Sequence, residues 1–79
     1  MSKFPVDASI DQVIRALELI GFVVVRRGNH IALQRDNENG TSTPMTLPNH
    51  RNLKSSTLRH ALTHANVTRE DFLIAYETL

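Results

Sequence analysis

The dipeptide Gly28-Asn29 restricts the fold of this chain more than any other feature of its sequence. Before it, Phe22–Arg27 is an apolar, β-branched run. After it, His30–Arg35 alternates between apolar and polar residues. Two such runs around a two-residue Gly-Asn connection read as a β-hairpin. A two-residue turn fixes the register: Arg27 opposite His30, Arg26 opposite Ile31, Val25 opposite Ala32, Val24 opposite Leu33 and Val23 opposite Gln34. Residues opposite one another share a face. One face therefore carries Phe22, Val24, Ile31 and Leu33 and is expected to meet the core. The other carries Val23, Val25, Arg27, His30, Ala32 and Gln34.

The remaining elements follow from periodicity and caps. Met1 to Val6 reads as an extended lead-in. Ile10, Val13, Ile14, Leu17 and Ile20 form one apolar helical stripe. Ser9 with Gln12 offers a capping box at its start, and Gly21 can end it in a left-handed conformation. Asn37 to Gly40 is a polar turn. Thr41–Leu47 is a third strand, which Pro44 confines to a sheet edge because proline has no N–H for the ladder. A loop from Pro48 to Lys54 leads to a second helix, capped by Ser55 or Ser56 and carrying Leu58, Ala61, Leu62 and Ala65. Asn66 ends it. Thr68 with Asp71 caps a short terminal helix with Phe72, Leu73, Tyr76 and Leu79. The expected class is α+β: helix, three-stranded antiparallel sheet, helix and a short C-terminal helix, as one domain over residues 1–79.

Seventy-nine residues support one small core. The absence of cysteine excludes disulfides, thiolate metal sites and a thiol nucleophile, and fits a cytoplasmic protein. The first apolar run is broken by Asp11, Gln12, Arg15 and Glu18, so neither a secretion signal nor a membrane span is expected. The formal net charge of +1 is too small to argue for nucleic acid by itself, so such an argument must rest on where basic residues sit.

Several residues can carry chemistry. His30 is expected to point away from the core, where an imidazole can take a proton near neutral pH. Its plain alternative is a solvated histidine at a hairpin corner. Val23 and Val25 on the same face suggest a surface that a partner covers, unless the terminal helix covers it. His50 lies in the loop after the third strand. Lys54 and Arg59 flank the start of the second helix, where free backbone N–H groups can hold a phosphate. His60 and His64 stand four residues apart, a spacing that can bind zinc, but no third ligand is in sequence proximity and no metal site is expected.

The chain resembles the HicA toxin family. The resemblance rests on Gly21-Phe22, on Arg27-Gly28-Asn29-His30, on Leu47-Pro48-Asn49-His50, on Leu53-Lys54-Ser55-Ser56-Thr57-Leu58-Arg59 and on Ala65 to Leu73. It spans about Ile10 to Leu73. Ile31 stands where many members carry a second histidine, and Ser56 where many have glycine. The resemblance implies a fold like the double-stranded-RNA-binding domain and a ribonuclease that cleaves messenger RNA. It also implies a HicB-type antitoxin that masks the active site, and it puts the catalytic histidine on His30. The chemistry this suggests is attack of a ribose hydroxyl on the adjacent phosphate, with His30 as base, His50 as a second proton-transfer group and Arg27 holding the phosphate. No metal or small-molecule cofactor is expected. Two alternatives on the same fold are a non-catalytic RNA-binding module and a protein-interaction module.

Overall fold

The structure is a computed structural model that describes residues 3–79, so Met1 and Ser2 of the lead-in lie outside the described residues. In chain order the elements are β1 (Ala8–Ser9), α1 (Ile10–Leu19), β2 (Val23–Arg27), β3 (His30–Asp36), β4 (Ser42–Pro48), β5 (Asn52–Leu53), α2 (Ser55–His64) and α3 (Arg69–Thr78). The main sheet is antiparallel with order β2-β3-β4, and β4 lies at an edge as Pro44 requires. Ile31, Leu33, Met45 and Leu47 alternate onto one face of it. There they join Val13, Ile14 and Leu17 of α1, Leu58 and Leu62 of α2 and Phe72 of α3 in a single core. Helices cover one face of the sheet and leave the other open. This is the α+β, double-stranded-RNA-binding-like arrangement expected. The terminal helix α3 packs against α1, not over the open face. No described helix is long and apolar enough to cross a membrane.

Both long-stripe helices end in the same way. Gly21 has φ +102°, its N–H donates to the Glu18 carbonyl, and the Phe22 N–H donates to the Leu17 carbonyl. Asn66 has φ +59°, its N–H donates to Thr63, and the Val67 N–H donates to Leu62. Each is a Schellman closure, which satisfies the last helix carbonyls and turns the chain back on the core. The Thr68 cap is present, with its hydroxyl accepting from the Asp71 N–H at 3.1 Å.

Two expected caps are replaced. Ser9 occupies the cap position of α1 but makes no side-chain bond to it. The Ile10 N–H donates instead to the Arg51 carbonyl at 2.9 Å, because β1 and β5 pair there as a two-stranded ribbon that local sequence did not predict. Gln12 accepts from the Tyr76 hydroxyl at 3.2 Å and so links α1 to α3. For α2 the cap residue is Lys54, not Ser55 or Ser56, and it makes no side-chain bond to the helix.

The hairpin register is the main correction. Val23 pairs with Gln34 and Val24 with Leu33 as expected, but Arg26 pairs with Ala32 and Arg27 with Ile31. A bulge at Val25 takes up the extra residue. The physical reason lies at the tip. Either favoured two-residue hairpin turn needs positive φ at Gly28, and neither Gly28 nor Asn29 has it. The tip is instead fastened to the chain beyond β4. The Asn49 side-chain amide donates to the Gly28 carbonyl at 2.9 Å, and its backbone N–H donates to the Asn29 carbonyl at 3.2 Å.

Candidate active site

His30 opens β3, and the strand alternates from it: Ile31 and Leu33 are buried, while His30 is exposed on the opposite side. The open face carries His30, Ala32 and Gln34 from β3 and their partners Pro48, Thr46 and Pro44 from β4. The bulge changes what β2 contributes. Arg27, now opposite buried Ile31, reaches toward α1, where its guanidinium lies 3.4 Å from the Asp11 carboxylate. It is therefore not paired across the hairpin with His30, as the two-residue turn required. Arg26, opposite Ala32, takes a place on the open face. The Arg27–Asp11 pair has side-chain exposures of 48% and 77% and contributes about 0–1 kcal/mol.

His50 follows β4 closely, its N–H donating to the Pro48 carbonyl at 2.9 Å. A small cavity of about 200 Å³ brings His50 and Lys54 together with Pro48, Asn52 and Thr57. Pro48 is also the cross-strand partner of His30. His30 does not line that cavity itself; its strand partner Pro48 does. Arg59, farther along α2, does not line that cavity. Val23 and Val25 are 57% and 58% exposed, and none of the described residues covers them fully.

His60 and His64 lie on α2 with ring centroids 4.4 Å apart. Among the described residues no group of three or more potential metal ligands is present.

Sequence reasoning assigned no role to Asn49 or Arg26. The motif Leu47-Pro48-Asn49-His50 was visible, but the partner of the Asn49 amide lies on a distant hairpin. The position of Arg26 depends on a bulge that leaves no residue signature.

A protein-family model described as "HicA toxin of bacterial toxin-antitoxin" matches residues 10–67. No curated protein and no solved structure matches the chain significantly.

Proposed function

The chain belongs to the HicA toxin family of bacterial toxin–antitoxin systems, and on that premise we propose that it is an endonuclease that cuts messenger RNA in the cytoplasm with His30 as general base. The observation that carries this reading is the placement of His30. It is exposed on the open face, at a hairpin tip held by two Asn49 bonds, beside the cavity that holds His50 and Lys54.

The reaction needs a base, an acid and positive charge. His30 takes the proton of a ribose 2′-hydroxyl, and the freed oxygen attacks the adjacent phosphorus. The bond to the 5′-oxygen breaks, and His50 gives that oxygen a proton. The products are a 2′,3′-cyclic phosphate and a 5′-hydroxyl. Lys54, at the uncapped start of α2, neutralises phosphate charge together with backbone N–H groups. Arg26 and Arg59 add sequence-independent contacts along the RNA strand, while Arg27 is turned to Asp11 of α1. Each step uses protein groups alone. A HicB-type antitoxin silences the enzyme by covering the face that bears His30, Val23 and Val25.

Cleavage of a defined RNA by purified protein tests the assignment. His30→Ala should melt within about 0.5 kcal/mol of the parent, because the ring packs against nothing in the core. It should cut roughly a hundredfold to ten-thousandfold more slowly. Parent cleavage should persist in chelator and leave cyclic-phosphate ends. A metal-free His30→Ala protein that cuts as fast as the parent overturns the catalytic role and leaves a binding module.

A further inference from the structure

A second cleft lies along the free edge of β4. It encloses about 450 Å³, within the range of small-ligand sites. One wall is Pro44, Thr46 and Pro48, and the other is Thr57, His60 and His64 of α2. The cleft shares Pro48 and Thr57 with the cavity that holds His50 and Lys54. It is therefore continuous with the surroundings of His30 but distinct from them.

The chemistry of this edge is unusual. Asn49 donates its N–H to Asn29 across the ladder, so the odd-numbered residues of β4 bond to β3 in the same alternation. Residues 44, 46 and 48 then turn their backbone groups outward. Two of the three are prolines with no N–H, which leaves Thr46 as the one outward backbone donor among these cleft residues, flanked by carbonyls. An added peptide strand needs a run of alternating donors and acceptors, and this edge lacks it. One donor beside acceptors, facing two imidazole rings, suits the polar edge and flat face of a single base. A metal ion fits less well, because among the described residues the two imidazoles have no third protein ligand and fall short of the usual three or four.

We propose that the β4–α2 cleft seats an unpaired nucleobase of the RNA next to the cleavage point, stacked on His60 or His64 and hydrogen-bonded to the Thr46 backbone. Bases splayed out of a single strand are held in this way by aromatic rings, histidine included. The proposal rests on the ribonuclease reading above. It adds that cleavage requires a single-stranded nucleotide beside the scissile phosphate.

The test uses the whole chain and short single-stranded oligoribonucleotides with methylated 2′-oxygens, which cannot be cut by this route. Binding should shift the imidazole NMR signals of His60 or His64 along with those of His30. His60→Ala and His64→Ala are surface changes that should leave melting unchanged. At least one should weaken binding by roughly fivefold to a hundredfold, as loss of one stacked base does. The matching change to Phe should restore most of it, which a lost charge or metal ligand would not allow. Shifts at His30 and Lys54 with none at His60 or His64 would overturn the cleft while leaving the ribonuclease reading intact. Binding with no shift anywhere on the open face would overturn both. Equal affinity for a fully paired duplex would also remove the proposed seat.

Discussion

Asn49 anchors the tip that carries His30, with one bond from its side chain and one from its backbone. The hairpin tip has no positive-φ turn of its own, so its position depends on that tether. Asn49→Ala removes the side-chain bond and keeps the other. The global cost should be about 1 kcal/mol, typical of one exposed hydrogen bond. On the proposed role of His30 as general base, cleavage should fall by more than this stability loss explains, because small misplacements of a catalytic group are costly. Melting and single-turnover cleavage measured on the same protein check this. Equal, small effects on both would mean that β3 alone positions His30. His30 itself was legible in the sequence because strand alternation from buried Ile31 and Leu33 puts it outside under either register. Arg27 was not, since its face depends on the bulge that separates it from Val24.

Helix ends carry much of this fold's specification. Gly21 combines φ +102° with close packing: an added Cβ would lie 3.2 Å from Cδ of Arg35. That arginine also donates to the Ile20 carbonyl at 3.5 Å and lies 4.8 Å from the centre of the Phe22 ring. Gly21→Ala therefore meets both backbone strain and a displaced guanidinium. It should cost more than about 1 kcal/mol. Asn66→Ala has the positive φ alone and should cost about 1–2 kcal/mol, while Asn66→Gly should be tolerated. Denaturant midpoints of the three variants give the order, and a stable Gly21→Ala protein would contradict the account. Gly21, Asn66 and Thr68 were all readable because each acts on the chain within a few residues. The β1–β5 ribbon was not. It joins residues far apart in sequence through backbone groups, and its formation removes the need for a Ser9 side-chain cap.

At the scale of the whole molecule, apolar side chains group into two open surfaces among the described residues. One is Val23 and Val25 on the bulged edge strand, by the face that bears His30. The other is the groove between α1 and α3, lined by Leu19, Ile20 and Ile74, with Ile74 65% exposed. α3 packs on α1 and away from the open sheet face, so the two surfaces are separate. On the proposed masking mechanism the antitoxin occupies the first, since only that one lies by the sheet face that bears His30. Val23→Ser and Val25→Ser should each change stability by no more than about 0.5 kcal/mol, because both side chains are already more than half exposed. Each should weaken the antitoxin complex about tenfold, since binding would bury the apolar area that remains. Ile74→Ser should leave that affinity unchanged. Calorimetric titration of the cognate antitoxin into the three variants separates the surfaces. A histidine-directed reagent should modify His30 in the free protein and be excluded in the complex. If Ile74→Ser weakens the complex while the valine variants do not, the antitoxin holds the α1–α3 groove, and inhibition must work by some means other than covering His30.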